Sequence, residues 1–247
     1  EELKQIREQA DKLGFDTDAR ILNAADYGAP QTRKRTVVLG WKRADLPAGI
    51  EFPQPSHSSE PDDEKRGNLK KWRTVRDVIS DLPAMPKTTE IGVGAPLDLH
   101  FGRNPTELSQ KRYRHVPAGG NRFDLQRNAP ELTPNCWIKK KSGGTDLFGR
   151  LWWDRPSVTI RTEFFKPEKG RYLHPVEHRP ITHREAARLM GFPDDFVFYG
   201  SKTEIARQIG NAVPPALAEA IAASVLNALI VSENVVRHGN GQKIAAE

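Results

Sequence analysis

Apolar residues at the start of the chain recur at helical spacing, at Leu3, Ile6, Ala10 and Leu13. Gly14 follows them as a residue able to end the helix. Residues 20–24 then predict a short strand, and the β-branched run 36–40 predicts a buried one. Helix, strand, loop and strand over residues 1–42 form the tail of an α/β unit, because so few elements cannot bury both faces of a sheet.

Residues 43–178 show no long regular pattern, because prolines and glycines interrupt them throughout. One helix is predicted after Thr74, with an apolar face that ends at Pro83. Apolar and polar residues alternate over 157–164, which is the periodicity of a strand. Long loops in a compact protein are usually functional or disordered, and three tryptophans argue against disorder: Trp137, Trp152 and Trp153. This part of the chain is therefore predicted to be a recognition module.

Residues 179–247 are predicted to be mainly helical. The segment 182–185 (Thr-His-Arg-Glu) has the sequence of a capping box, and Gly191 is placed to end the helix that it opens. Pro214 is placed to begin a second helix. Its apolar stripe recurs every four residues, at Leu217, Ile221, Val225 and Leu229. Over 232–247 the pattern fades into a polar tail.

Charge and composition narrow the class of protein. The 247 residues include 38 Lys and Arg against 32 Asp and Glu, a formal charge of +6 that favours a polyanionic partner. Two basic runs, 111–115 and 139–141, lie in the irregular middle region, although each by itself is better explained as a solvated loop. Cys136 is the only cysteine, which excludes an internal disulfide and fits a reducing cytoplasm.

The sequence also argues against several other classes. No His/Cys cluster has metal-ligand spacing, so no metal is expected. No apolar run approaches the roughly 20 residues that span a bilayer, so no membrane association is expected. The chain starts at Glu1 in helical sequence, with neither a signal-peptide pattern nor an initiator methionine. We expect a truncated or engineered piece of a longer chain, or alternatively one subunit of a two-chain protein.

The first of three informative segments is 31–35 (Gln-Thr-Arg-Lys-Arg), which leads into the strand predicted from Thr36. In an extended segment Arg33 and Arg35 point to the same side. Two adjacent guanidiniums suit contacts to carboxylates, phosphates or base edges. By themselves, however, these arginines are better explained as ordinary surface residues.

The second and third segments lie at helix ends. Residues 179–196 contain the capped helix, its glycine stop and a Pro-Asp turn, and nothing in this pattern identifies a ligand. In 207–215 (Arg-Gln-Ile-Gly-Asn-Ala-Val-Pro-Pro) a glycine turn is predicted to feed a helix N-terminus. Free backbone N–H groups there could meet an anionic or polar ligand. An ordinary loop-to-helix junction explains this third segment equally well.

Together and in this order, the three segments resemble the DNA cytosine-5 methyltransferases. Gln-Thr-Arg-Lys-Arg is similar to the family's eighth motif, and residues 23–30 precede it as they do in typical members. The segment 182–189, with Gly-Phe-Pro-Asp after it, is similar to the ninth motif, and Gln-Ile-Gly-Asn-Ala-Val-Pro-Pro to the tenth. Residues 148–151 and 153–157 resemble the recognition domains of bacterial members. The resemblance covers the chain up to about residue 231.

The resemblance implies an architecture and a reaction. A Rossmann-like α/β remnant of the catalytic domain is expected at 1–42, an irregular, β-containing target recognition domain at 43–178, and helices returning to the catalytic domain at 179–231, before the tail at 232–247. The implied reaction transfers a methyl group from S-adenosylmethionine to carbon 5 of a cytosine flipped out of double-stranded DNA.

The resemblance also shows what the sequence lacks. In the family a cysteine in a Pro-Cys-Gln context, upstream of the eighth motif, attacks the base. Cys136 stands far downstream between Asn135 and Trp137, so it is not expected to be this nucleophile. The family's Glu-Asn-Val motif and its glycine-bearing first motif are also absent. The chain is therefore expected to be a C-terminal part that is inactive without an N-terminal half, in the same chain or in a separate subunit.

By the same resemblance, Arg35 is expected to reach the flipped cytosine and Arg33 to support the pocket from the same strand. Completion of the pocket for S-adenosylmethionine is expected from Asn211, Ala212 and Val213. The expected contacts to double-stranded DNA come from the middle region, at Lys139, Lys140, Lys141, Arg150, Arg155, Thr159 and Arg161.

Two further expectations concern packing. Arg184 and Glu185 are expected to fix the recognition domain against the catalytic domain, although capping alone explains Glu185 equally well. The stripe of Leu217, Ile221 and Val225 is expected to pack against the missing half. Two other functions share the motifs: a non-catalytic DNA-binding specificity subunit, and a tRNA cytosine methyltransferase. The extended basic middle region favours duplex DNA, because reading the major groove needs a sizeable module.

Overall fold

The fold is described by a computed structural model that covers residues 1–60, 68–139 and 144–244, with side chains described up to residue 233. It is a mixed α/β structure in which a two-stranded sheet and one long helix form one part of the core. Short helices and irregular segments form the rest.

The chain begins with helix α1 (Glu2–Lys12), strand β1 (Phe15–Asn23), a 3₁₀ turn (Ala24–Tyr27) and strand β2 (Lys34–Lys42). The strands pair antiparallel over their whole length. The predicted order is confirmed, and Gly14 takes the positive φ of +79° that glycine tolerates after a helix.

The prediction that β2 is a buried strand is wrong. Only Leu39 is buried in it, and Val38 is 38 % exposed. On β1, Ile21 of the same sheet face is 70 % exposed. A strand buries both faces only where layers cover both sides of its sheet, and among the described residues one side of this hairpin has no such layer.

The covered face of the hairpin packs against helix α8 (Pro215–Ile244). Leu217 is fully buried among Leu22, Tyr27 and Leu39, and the next positions of its stripe are partly buried on the same cluster. The Ser232 hydroxyl donates to the Asp45 carbonyl oxygen at 2.9 Å and fastens the helix further along. The apolar stripe therefore has its partner within the chain, which corrects the expectation that a missing half covers it.

Helix α8 departs from two further expectations. It continues to Ile244, through most of the segment expected to be a polar tail. Its part Pro215–Glu233 is long and apolar enough to cross a membrane by length and composition alone, although no apolar run of that length was expected. A single helix of this kind is weak evidence for a membrane span, because core helices of soluble proteins also pass this test.

The middle of the chain is irregular, as predicted, and its regular elements are short. Strands β3 (His57–Ser58) and β4 (Lys70–Lys71) pair in parallel. The α-helices described between β4 and residue 139 are α2 (Arg76–Ile79), α3 (Glu107–Arg114), α4 (Arg122–Asn128) and α5 (Asn135–Lys139). The predicted helix after Thr74 is thus confirmed as a single turn.

The strand predicted at 157–164 is wrong. Ser157 forms an isolated parallel bridge with Gln31, and the chain turns at 162–165. Ile160 and Phe164 are buried. The alternation of apolar and polar residues therefore reflects burial of one side of an irregular segment and not pairing with a neighbouring strand. The backbone of this segment bonds partly to side chains, as the Ile160 N–H does to Gln31, and not to a neighbouring strand.

Helices α6 (His183–Met190) and α7 (Lys202–Asn211) complete the described elements. Thr182 and Glu185 form the predicted capping box, and Gly191 ends α6 in the left-handed conformation. Both helices share one apolar cluster with parts of the middle region, including Val75, Leu99 and Ile160. The predicted division at residue 179 therefore runs through a common core.

Candidate functional site

A seam joins residues 30–33 to residues 157–160. The Ser157 N–H donates to the Pro30 carbonyl oxygen at 2.9 Å, and the Thr32 N–H donates to the Ser157 carbonyl oxygen at 2.9 Å. The Thr159 hydroxyl then donates to the Thr32 carbonyl oxygen at 3.0 Å. Residues 157–159 and the segment 30–32 are thus brought together although more than 100 positions separate them in sequence.

Gln31 fixes this seam from inside the protein. Its side chain is fully buried, and its Nε2 donates to the Leu189 carbonyl oxygen in α6 at 2.9 Å. Its Oε1 accepts from the Ile160 N–H at 3.3 Å. One amide side chain therefore ties the seam to a helix of the common core.

Arg33 is buried and points inward. Nη1 donates to the Ile160 carbonyl oxygen at 2.8 Å, and Nη2 donates to the Gly210 carbonyl oxygen at 3.0 Å. Burial, and then the nearby charge of Arg35, lower the pKa of the guanidinium to about 10. The prediction that two guanidiniums are presented side by side is corrected, because carbonyl oxygens inside the protein hold that of Arg33.

Arg35 is exposed on β2, directly opposite Leu22 of β1. Its Nη1 donates to the neighbouring Lys34 carbonyl oxygen at 2.8 Å, and no carboxylate pairs with it in the described part of the chain. Most of its donors are therefore available to a ligand.

A cavity of about 450 Å³ lies beside the seam. Its lining includes Thr32, Thr159, Arg161, Lys169, Arg171 and Tyr172. Arg161 and Lys169 are exposed at this cavity, so a positive field is expected there. The Tyr172 hydroxyl donates to the Thr159 carbonyl oxygen at 3.1 Å and holds the backbone of the wall. The lining also contains Asp146, which pairs with Arg171 at 2.8 Å, and Lys169 pairs with Glu163 at 3.3 Å. Arg161 has no carboxylate partner among the described residues, so it is the cation that this cavity offers to a polar, anionic ligand.

The remaining basic residues expected at DNA fall into two groups. Arg155 is exposed, with its guanidinium 5.0 Å from the centre of the Trp152 ring, and Lys139 is exposed at the end of α5. Lys140 and Lys141 lie outside the described residues. Arg155 and Lys139 are accessible to a polyanion.

Arg150 is not accessible, which corrects its expected contact to DNA. Its side chain is 2 % exposed and donates to four backbone carbonyl oxygens, those of Tyr113, Val116, His174 and Glu177. Burial lowers its pKa to about 10. Arg150 organises the recognition region from within.

The segment 211–213 begins with the last residue of α7, Asn211, and is largely exposed. Asn211 and Val213 are exposed, and Ala212 is half-buried. Within the described chain no partner is seen for the backbone N–H groups of Ala212 and Val213. This combination of an amide, free N–H groups and an apolar side chain fits a ligand with both polar and apolar parts.

Gly210 lies inside α7, so the predicted glycine turn is wrong. A Cβ atom at this position would lie 2.4 Å from the Thr162 nitrogen and 2.5 Å from the Arg161 carbonyl carbon. The glycine is required for close approach of two backbones, which is a tertiary contact that a local pattern does not reveal.

The model of the C-5 cytosine-specific DNA methylases matches residues 1–227. The chain belongs to this family. It is 35% identical over 222 residues to the type II methyltransferase M1.HphI of Haemophilus parahaemolyticus, covering 90% of this chain and 51% of the relative. It is 30% identical over 247 residues to the type II methyltransferase M.NgoFVII of Neisseria gonorrhoeae, covering 99% of this chain and 58% of the relative. The chain thus spans about half the length of these relatives.

A crystal structure described as a DNA modification methyltransferase encoded within an E. coli prophage shares the fold. The TM-score is 0.61 at 23% identity, and the match covers 93% of this chain and 66% of that one. At this identity the likeness shows the mixed α/β methyltransferase fold alone.

In this cytosine methylase chain, Arg184 connects separate segments, whereas Glu185 bonds to residues three and six positions before it. Arg184 is fully buried and its Nη2 donates to Asp98 at 2.6 Å. Glu185 accepts two hydrogen bonds from Arg179, both at 2.8 Å, and one from the Thr182 N–H at 2.7 Å. Burial raises the pKa of Glu185, but the bonds and charge of Arg179 outweigh it and lower the pKa. Glu185 therefore both caps α6 and forms an ion pair with Arg179.

Sequence reasoning about this methylase missed Arg171. Its side chain is buried and donates to the carbonyl oxygens of Gly119, Gly120 and Arg150, and it pairs with Asp146 at 2.8 Å. No local pattern distinguishes it from the exposed arginines. Cys136 lies exposed in α5, away from the arginine segment in sequence.

Proposed function

We propose that this chain is the C-terminal, DNA-recognising part of a DNA (cytosine-5-)-methyltransferase. The complete enzyme transfers a methyl group from S-adenosylmethionine to carbon 5 of a flipped cytosine. An N-terminal part, in the same chain or a separate subunit, carries the nucleophilic cysteine. The observation that carries this proposal is the exposed Arg35, three residues after the cavity-lining Thr32, in a family member that spans about half the length of its relatives.

The uncovered face of the hairpin supports the need for a second part. Phe15, Ile21 and Val38 share that face and are each more than a third exposed. Ile6 of α1 and Leu13, directly after this helix, are 51 % and 74 % exposed. Soluble proteins rarely leave a contiguous apolar patch uncovered. An N-terminal part that extends the sheet and packs on this face accounts for the exposure.

Within the complete enzyme, Arg35 offers N–H donors to the acceptor atoms of the flipped base. Thr159 and Arg161 line the cavity next to the seam, and we assign them to the DNA strand together with Arg155 and Lys139. Arginine and lysine contacts to phosphates position the duplex, and only contacts to base edges read its sequence.

The segment 211–213 is assigned to the cofactor. S-Adenosylmethionine supplies the methyl group when it is bound. The Asn211 amide and the free N–H groups of Ala212 and Val213 suit its polar groups, and the exposed Val213 side chain suits its apolar surface. We assign to the N-terminal part the remaining walls of this pocket.

Replacement of Arg35 tests the assignment in the enzyme completed with its N-terminal part. We expect Arg35→Ala to lower turnover by at least about tenfold, because a charge-assisted donor contributes about 1.5–3 kcal/mol. Binding of duplex DNA should be largely kept, because the other basic residues remain. The control is Arg7→Ala, an exposed arginine on α1, which should change neither quantity. Unchanged turnover in Arg35→Ala would refute the assigned role.

A further inference from the structure

We propose that Arg33 is a positioning residue that couples the DNA-side segment 158–161 to the cofactor-side segment 210–213. Occupation of either segment by its ligand then tightens binding at the other. This inference rests on the proposed function, and it assigns Arg33 a task different from contact with the base.

Arg33 is the only side chain in the described part that donates to both segments. Its two bonds reach the carbonyl oxygens of Ile160 and Gly210, which are 50 positions apart in the sequence. Among the described residues no carboxylate pairs with this buried cation, and its Nε has no hydrogen-bond partner. Since an unpaired buried charge is costly, the two carbonyl oxygens are its main compensation. Loss of either one is therefore unfavourable.

The bond to Gly210 also stabilises the end of α7. The last four carbonyl groups of a helix lack partners within it, and the helix dipole places negative charge there. Arg33 supplies both a donor and a positive charge at that end. Residues 211–213 follow directly after the bonded Gly210, so their placement depends on this bond.

Ile160, in the DNA-side segment, is held at both its N–H and its carbonyl oxygen. Gln31 accepts from the Ile160 N–H while Arg33 donates to the Ile160 carbonyl oxygen. Thr159 and Arg161 flank Ile160 and line the cavity assigned to DNA. A shift of Ile160 would therefore move both DNA-side residues and break the Arg33 bond.

The two segments also touch directly. Gly210 approaches the backbone of Arg161 and Thr162 so closely that a Cβ atom would lie 2.4 to 2.6 Å from it. Neither segment can move towards the other, because close-packed backbones do not compress, and separation of the two segments is opposed by the Arg33 bonds to both. Arg33 holds this contact closed.

The consequence is measurable as a coupling between ligands. Couplings between sites are typically about 5-fold to 150-fold in affinity and are reciprocal. We expect S-adenosylhomocysteine, the product of the cofactor, to tighten duplex DNA binding to the completed enzyme by a factor in this range. In Arg33→Met this factor should fall to near one. Arg33→Lys should keep part of it, because the lysine ammonium keeps the positive charge but cannot donate to two carbonyl oxygens with the fixed geometry of a guanidinium.

The experiment measures the Kd for duplex DNA with and without saturating S-adenosylhomocysteine in the completed enzyme. The matched control is Arg171→Met, which removes another buried arginine bonded to carbonyl oxygens but touches neither Ile160 nor Gly210. It should weaken DNA binding by the same factor in both conditions and so keep the coupling. The inference is overturned if Arg33→Met keeps the coupling of the unsubstituted enzyme. It is also overturned if Arg171→Met loses the coupling to the same extent as Arg33→Met.

A second measurement needs no substitution and so does not depend on the folding of a variant. S-Adenosylhomocysteine should slow amide hydrogen exchange at Ile160 and Thr162, and unchanged exchange there overturns the inference. An unsubstituted enzyme that transfers methyl groups without any coupling overturns the inference alone. If it transfers none, the proposed function fails first and the inference fails with it.

Discussion

Replacement of Gly210 by alanine tests the close contact between α7 and the backbone of residues 161–162. The added Cβ would lie 2.4 Å from the Thr162 nitrogen, 2.5 Å from the Arg161 carbonyl carbon and 2.6 Å from the Thr162 Cα. Favourable contacts of a carbon atom lie at about 3.5–4.0 Å. The end of α7 must therefore move by about 1 Å from the segment 161–162, which also strains the Arg33 bond to residue 210.

Two opposing effects determine the size of the change. Alanine is favoured over glycine inside a helix by about 1 kcal/mol. Overpacking in a well-packed interior costs typically about 1–3 kcal/mol, and the clash with backbone atoms places Gly210→Ala at the upper end. We expect a net loss of about 1–2 kcal/mol in the free energy of unfolding, or about 2–8 °C in Tm for a chain of this size.

Thermal denaturation followed by circular dichroism measures this change. The control is Gly40→Ala on β2, where an added Cβ meets Thr17 Cγ2 at 3.6 Å and the Asp16 carbonyl oxygen at 3.8 Å, which are ordinary contacts. Gly40→Ala should leave Tm nearly unchanged or raise it. A Gly210→Ala variant as stable as the unsubstituted chain, or more stable, would show that helix propensity prevails and would refute the reasoning.

Three further predictions concern stability. Leu217→Ala should cost about 2–5 kcal/mol in urea denaturation, whereas Leu229→Ala, 46 % exposed on the same helix, should cost less than about 0.5 kcal/mol; equal losses would contradict the packing of α8. Arg150→Met should destabilise the chain by several kcal/mol, because each buried carbonyl left unpaired costs about 1–3 kcal/mol; a loss no larger than that of the exposed Arg155→Met would contradict its role. Burial lowers the pKa of His183 to about 4, so the unfolded chain, with a histidine pKa of about 6.5, binds the proton first as pH falls. The stability contributed by neutral His183 is present above about pH 6.5 and is lost towards pH 4; His183→Gln should flatten this fall, and an unchanged slope in urea titrations would contradict it.

Local patterns predicted the local features of the fold well. The capping box at Thr182 and the glycine stop at Gly191 are confirmed, because both depend on residues within one helical turn. The helix and strands of the first 42 residues are confirmed in order. The family resemblance stated from three short motifs is also confirmed, over residues 1–227.

The features that were not predicted depend on partners distant in sequence. Arg150 and Arg33 are buried because carbonyl oxygens of other segments converge on them, and nothing beside them in sequence shows this. Gly210 was interpreted as a turn because its contact, the backbone at 161–162, lies about 50 positions away. The apolar stripe of α8 was predicted correctly, but periodicity does not reveal which surface covers it.

Methyl transfer from labelled S-adenosylmethionine to duplex DNA tests the central claim most directly. The 247-residue chain alone should transfer no label, and the same chain mixed with or joined to an N-terminal part bearing the Pro-Cys-Gln cysteine should transfer it. In the joined protein, replacement of that cysteine by serine should abolish transfer, whereas Cys136→Ser should leave it unchanged. Methyl transfer by the chain alone would contradict the account.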